Sequence, residues 1–552
     1  MKRTFVTLLA CVAFGGSSQA AERPAAIPKD QRPGFDQIRE ADIRADIGFL
    51  ASGALMGRMS LETGDDAAIQ WIAGEFAKAG LTPINEAPGA AGYLQAVPLI
   101  EYRGNSAASS LVLSVGDASQ RFTAPDLAGS YRDDVDITAP VAFAGYGISA
   151  PGVGYDDYKG LDVRGKVVVV FEHEPQETDP ASPFNGTGNT RHATNRVKAL
   201  NAQRRGAVAM IVIAEPNRKH PSNIERVNRI GGSVTRSPSL PAQALVEDEL
   251  RIPIVTVSDK LAGALLANSG ATPQALQTAI DKDLTPQSRA LSGATVRLHL
   301  ENVSRRRGMS YNVAGILPGS DPTLAAETVI ISGHHDHDGF ANGGAAIWHG
   351  ADDNASGTVG VIELARAFMA NPTRPKRSIL FVAFAAEERG LLGAYHMAAK
   401  PVRPLATTRA MLNFDMIGRN EAPSDQTTGL IEIPADTTNR LNLIGGTYSP
   451  DLRRVIVEAN RAIGLDLDDR FDREYALNVF FRSDQFPFVL NDIPAFWVFT
   501  GFHPDYHQTT DTADRINYAK MTRILQLSYL SVWRLANDSK PPAFVKDPGA
   551  GR

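Results

Sequence analysis

Five short polar clusters in the second half of this 552-residue chain carry the side chains that ligate metals and move protons. The first, Ser332-Gly333-His334-His335-Asp336-His337, follows the apolar run 329–331. A histidine with a carboxylate two residues on is a ligand with a partner at hand to set its tautomer, so His334 is the expected ligand and Asp336 its orienter. Strand alternation sends His335 and His337 to the opposite face. Residues 350–357 place Asp352 and Asp353 in a turn-rich loop ahead of a helical pattern, where carboxylates commonly serve as caps. Glu387 and Glu388 end the apolar run 379–384. Two adjacent buried glutamates are costly unless a metal and a proton transfer use both. Asp415 sits in an apolar strand end, and His507 precedes Thr509 and Asp511. Taken singly, each cluster reads equally well as a capped turn or a satisfied polar group. Jointly they supply two histidines and several carboxylates without cysteine, which is ligand chemistry for a pair of hydrolytic divalent ions such as zinc.

The elements that must position these clusters are legible as texture. After Asn302, short continuous apolar runs at 329–332, 378–384, 410–414 and 495–499 read as parallel strands buried on both faces. Residues 358–369 and 524–535 read as covering helices, so this region is an α/β sandwich. Nearly every strand ends in one of the polar clusters, and an open α/β sheet places its site outside the carboxyl ends of its strands. Residues 43–81 show helical spacing that stops at Gly80. Residues 94–300 turn to short β-rich runs divided by Gly, Pro and Asp, with surface loops expected at 179–191 and 216–241. The Pro- and Gly-rich residues from 540 onward are expected to be loose.

Composition limits the rest. The chain is too long for one hydrophobic core, and its formal net charge of −5 leaves no basic footprint for nucleic acid. Lys2 and Arg3, an apolar stretch at 5–14 and small residues at Ser18 and Ala20 read as a signal peptide cleaved after Ala20. Cleavage takes the charge to −7, and no later apolar run is long enough to span a bilayer, so the expected location is the periplasm or the exterior. Cys11 is the single cysteine, so no intramolecular disulfide exists. It reads as filler in the leader in preference to a lipid-attachment site.

These motifs resemble the co-catalytic two-zinc exopeptidases, a family that includes bacterial leucyl aminopeptidases, glutamate carboxypeptidase II and glutaminyl cyclases. The family's Gly-x-His-x-Asp-His stretch fits residues 332–337, and its Gly-Ala-x-Asp-Asn-x-Ser-Gly loop matches residues 350–357. Its Glu-Glu pair falls on Glu387 and Glu388, its Asn-x-Asp-Met-x-Gly on residues 413–418, and its His-x-Thr-x-Asp-Thr on residues 507–512. Gly57-Arg58 matches near the start. The resemblance implies two zinc ions on His334, Asp353, Glu388, Asp415 and His507, with Asp353 bridging, Asp352 capping the helix and Glu387 as general base. It implies His507 as the ligand, with His503 in the pocket wall. Phe480 departs from the tyrosine some members carry there. Phe143 to Ile148, Asp157-Tyr158 and residues 165–168 resemble the protease-associated domain often inserted in this family. The implied fold is a three-layer α/β sandwich with a mixed, mostly parallel central sheet and this β-rich insert. Its divisions are a leader at 1–20, a peptidase domain at 36–104 and 301–537, the insert at 105–300 and a tail at 538–552. The implied activity is release of N-terminal amino acids from peptides with a free N-terminus. Its rivals are a carboxypeptidase on acidic peptides, a glutaminyl cyclase-like acyltransferase and a noncatalytic receptor.

Overall fold

A computed structural model describes residues 25–225 and 240–550; the leader-like residues 1–20, Cys11 included, lie outside them. One mixed sheet has at its centre four parallel strands, in the spatial order Ser378–Phe384, Thr328–His334, Thr408–Phe414 and Ala495–Phe499. Antiparallel pairings extend it on one side through Asn302–Leu317, Leu94–Gly104 and Ala242–Leu245. On the other side Arg440–Ile444 pairs antiparallel to Ala495–Phe499.

Alternation along the central strands divides their side chains between two cores. Val329, Ile331, Phe381, Leu412 and Phe414 face the helices Glu40–Leu50, Thr63–Ala79, Gly357–Ala370 and Tyr518–Asn537. Ile330, Leu380, Val382 and Met411 face the layer that holds Leu392–Ala399 and Phe486–Val489. Both sheet faces are therefore covered, which is why these strands are continuously apolar. The three layers are those of the expected sandwich.

A second sheet of eight strands, drawn from residues 110–300, has its own core around Val141, Val169, Ile211, Val255 and Val296. The strand Ala242–Leu245 leaves this insert to join the edge of the first sheet beside Leu94–Gly104. Two expectations change. The loop expected on the surface at 179–191 is largely buried against the body built on the first sheet: Asn185 Nδ2 donates to Asp472 O at 3.1 Å, Thr187 Oγ1 to Arg473 O at 2.9 Å, and the Arg191 amide to Tyr448 Oη at 2.8 Å. Its polarity is satisfied across the seam instead of by water. The tail expected to be loose is docked there too, with Phe544 packed on the Tyr448 ring at 5.5 Å and the Val545 amide donating to Tyr448 O. Among the described residues no helix is long and apolar enough to cross a membrane.

Candidate metal centre

The carboxyl ends of the four central strands converge. His334 ends one strand, Glu387 and Glu388 form the turn after the second, Asp415 follows the third and His507 lies in the loop after the fourth. Asp353 enters from the loop ahead of Gly357–Ala370. Its two oxygens face different histidines: Oδ1 is 3.4 Å from His334 Nε2 and Oδ2 is 2.9 Å from His507 Nε2. Around His334 Nε2, Asp415 Oδ1 and Glu387 Oε2 each stand at 3.7 Å. On the other side Glu388 Oε2 is 3.4 Å from His507 Nε2, and Glu388 Oε1 is 2.7 Å from His337 Nδ1. Two donor sets thus meet at one carboxylate. All of these residues are buried.

The backbone is strained where it delivers them. Ala386, Met416 and His507 all have left-handed φ, at 54°, 57° and 55°, a conformation costly for residues with a Cβ and common at functional sites. Gly350 has φ of 56°, and a Cβ there would stand 2.1 Å from Asp353 O. Gly57 has φ of 69° and no room for a Cβ, which would meet Gly339 O at 2.2 Å. Next to it the wholly buried Arg58 donates to the carbonyls of His335, Leu50, His349 and Gly350. Its guanidinium ties the His334 loop to the Asp353 loop, and burial draws its pKa down to about 10.

Several outer contacts differ from expectation. His334 Nδ1 lies 3.2 Å from the carbonyl of Asp336 and 3.6 Å from its carboxylate. That carboxylate instead accepts the amides of Glu387 at 2.9 Å and Glu388 at 3.3 Å, holding the glutamate turn. Asp352 does not cap the helix: it accepts the Gly418 amide at 2.6 Å and faces His503 Nε2 at 3.2 Å. The free amides of that loop go to Asp511, which accepts from Asp352 and Asp353. His503 is accordingly buried behind the site and is not a pocket wall. The alternation that assigned His337 to the far face ends where the strand does, at His334, so His337 swings into the site while His335 pairs with Asp65 at 3.0 Å.

Sequence reasoning passed over three residues. Asp338 stands 3.1 Å from His507 Nδ1, as an orienter of that ring. Ser483 donates to Asp415 and accepts from Asn413. Asp484 is wholly buried without a hydrogen bond, and burial pushes its carboxyl well above the usual range. Glu387 is raised likewise, by burial first and then by the charges of Asp415 and Glu388. Phe480 is buried and stacked on Tyr448.

The centre opens on a cleft of about 770 Å³ lined by Arg389, Phe481, Arg482, Trp497, Phe502 and Tyr506. Tyr102 and Gln243, from the two edge strands beside the insert, form the facing wall. Arg419 points elsewhere, to Asp505 at 2.7 Å.

Residues 312–532, which contain every donor described above except those of the first 60 residues' clamp, match the model of peptidase family M28, and residues 124–270 match that of the PA domain. Over residues 312–532 the chain is similar to peptidase family M28. Relatives of the M28 domain include a probable zinc metalloprotease of Pyrenophora tritici-repentis, 31% identical over 36% of this chain and 50% of that protein. A probable aminopeptidase of Saccharomyces cerevisiae is 27% identical over 43% of this chain and 62% of its own length. A probable lipoprotein aminopeptidase of Mycobacterium tuberculosis is 25% identical over 69% of this chain and 64% of its own. The chain thus spans about half to just under two thirds of the length of these curated relatives.

Proposed function

We propose that this protein is an exported, zinc-dependent exopeptidase that releases N-terminal amino acids from peptides. The observation that carries the reading is Asp353, a carboxylate shared by two buried donor sets. His334 Nε2 is buried without a hydrogen bond among three carboxylates, an arrangement that fits a cation. His334, Asp353 and Asp415 would hold one zinc ion, and Asp353, Glu388 and His507 a second. Bound there, zinc would polarise the scissile carbonyl and lower the pKa of a water.

The chain's own residues do the rest. Glu387, which lines the cleft with Oε2 3.7 Å from His334 Nε2, takes the proton of the attacking water and hands it to the leaving amine. Asp336 holds Glu387 and Glu388 in register through their amides. Asp338 sets the His507 ring. The apolar wall of Phe481, Trp497 and Phe502 suits a first residue such as leucine, and the carboxylates around Asp353 suit the substrate's free α-amine. The leader-like residues 1–20 support export.

A second reading has a specific observation behind it. Arg389 lines the cleft with Nη1 3.4 Å from Asp338 and with Nε and Nη2 buried without a hydrogen bond, and Arg482 lines the same cleft. That charge suits a carboxypeptidase on acidic peptides with the same metals and base. The test is a panel of aminoacyl anilides and peptides with free and acetylated amines. The proposed activity requires cleavage from the free N-terminus, with acetylated versions slower by at least about a hundredfold, the scale of a lost positioning contact. Shortening of N-acetylated peptides from a C-terminal glutamate would replace this reading with the second.

A further inference from the structure

The insert carries a buried histidine and carboxylate group of its own, away from the Asp353 centre. Glu172 and His173 follow the strand Val167–Phe171, Glu177 lies four residues beyond His173, and Glu215 and His220 follow the strand Ala209–Ile213. Glu172 and Glu215 are fully buried, and His173 and His220 nearly so, at 4% and 5% exposure. His173 Nδ1 is 3.1 Å from Glu215 Oε1 and 3.6 Å from Glu177 Oε2. His220 Nε2 is 3.0 Å from Glu177 Oε1. The two rings meet edge to face at 4.3 Å.

The surrounding partners are spoken for in a way that isolates four side chains. Glu172 takes the Asn223 amide, Glu174 takes the amide and hydroxyl of Thr190, and the buried Lys198 donates to Phe171 O at 2.7 Å. His173, Glu177, Glu215 and His220 are left facing one another. Glu215 Oε2 is fully buried and makes no hydrogen bond. His220 Nδ1 lies 3.0 Å from Pro221 O, which can only accept, so Nδ1 carries the proton and Nε2 turns toward the Glu177 carboxylate. His173 is held at φ of 39°, a left-handed conformation that aims its ring inward. Its Nε2 accepts from Asn478 Nδ2 at 2.9 Å, so in the absence of an ion Nδ1 carries the proton and donates to Glu215. His220 therefore has its N–H on an outer acceptor and its free nitrogen on the cluster, as ligating histidines do; His173 takes the same form once the Asn478 amide turns its oxygen to Nε2, freeing Nδ1 for the ion.

We propose that His173, Glu177, Glu215 and His220 form a separate binding site for one divalent cation of zinc type. Two imidazoles and two carboxylates are a ligand set for zinc, and four protein ligands make a closed, structural site. Tetrahedral bonds of about 2.0–2.2 Å put ligand atoms roughly 3.3–3.6 Å apart, close to the 3.0 to 3.6 Å between the cluster's neighbouring donor atoms. The ion lies on the seam. Asn478 and Tyr475, which touch His173 and His220, belong to the M28 segment that leads to Arg482 in the cleft and to Ser483 on Asp415. It would fasten the insert to the loop that builds the cleft.

Zinc is counted by elemental analysis on the full mature chain after exhaustive dialysis, with folding followed by circular dichroism. Glu215→Gln and His220→Gln, each with a native spectrum, are expected to carry one zinc equivalent fewer than wild type, whatever the Asp353 centre holds. A second chain bearing His334→Ala, Asp353→Asn and His507→Ala, with the seam intact, is expected to retain one equivalent and to lose it when Glu215→Gln is added. Unchanged zinc content in both Glu215→Gln and His220→Gln would overturn the proposal, leaving an imidazolium of His220 paired with Glu177 as the account of the cluster. Absence of zinc from the triple variant would do the same.

Discussion

Glu387 and Glu388 are adjacent in the chain yet face different tasks. Glu388 is turned to His507 and His337, in a donor set, while Glu387 stands at the edge of the other set and lines the cleft. They should fail differently. Glu387→Gln is expected to keep the wild-type zinc content and lose at least about 10²–10⁴-fold in kcat, the range for a general base, whereas Glu388→Gln is expected to lose zinc; elemental analysis beside steady-state kinetics reads both. Equal zinc loss in the two variants would remove the distinction. Asp338→Asn is expected to lower zinc affinity by about 10–100-fold, as changes to the orienting partner of a ligand do, measured by competition with a chelator. The candidate donors were legible only jointly, as polar clusters recurring at the ends of buried apolar runs, since each alone reads as a capped turn or a satisfied polar group. Asp338 and Asp511 were not, since their partners, the His507 ring and the amides of Asp352 and Asp353, come from residues about 160 positions away. Asp352 was misread for the same reason: a carboxylate ahead of a helix is an ordinary cap until a distant amide such as Gly418 claims it.

At the level of elements, the four central strands were legible because burial on both faces makes them continuously apolar, and the helices because their apolar positions repeat at helical spacing. What joins them was not. Gly57-Arg58 stood out in the sequence only as a family match without a role, and only the fold shows Arg58 gathering four carbonyls from three segments. Gly57→Ala places a Cβ 2.2 Å from Gly339 O at a left-handed φ. A cost of at least about 2 kcal/mol is expected from the backbone strain alone, and because the displaced strand of chain runs on to His337, zinc content should fall with stability. Thermal unfolding with and without zinc tests this; a stable variant with full zinc would show that the loop can move aside without consequence. The edge strand Ala242–Leu245 was also missed, being short and taking its register from Leu94–Gly104 and not from any local pattern.

The whole molecule is two large sheets, each with its own packing, and a seam between them. The cores announce themselves by their change of texture near residues 104 and 300, while the seam is polar and reads as loop until the partner surface is in place. Phe544 is half-buried in it against Tyr448. Phe544→Ala is expected to cost about 1 kcal/mol, about half of what full burial of such a side chain contributes, seen as a lower denaturant midpoint; no change would mean the docked tail adds nothing to the junction. Apart from Ala242–Leu245, which joins the edge of the first sheet, the insert's strands come from one stretch of chain, whereas the first sheet draws its other strands from both sides of that stretch and the candidate donors run from His334 to His507. During synthesis the insert can therefore complete its core while the sheet that hosts it still lacks its four middle strands, and residues 540–550 close the junction only after those strands have been made. The nascent chain spends that interval with one finished domain tethered to an open half-sheet, whose exposed apolar strands are what a chaperone would have to cover.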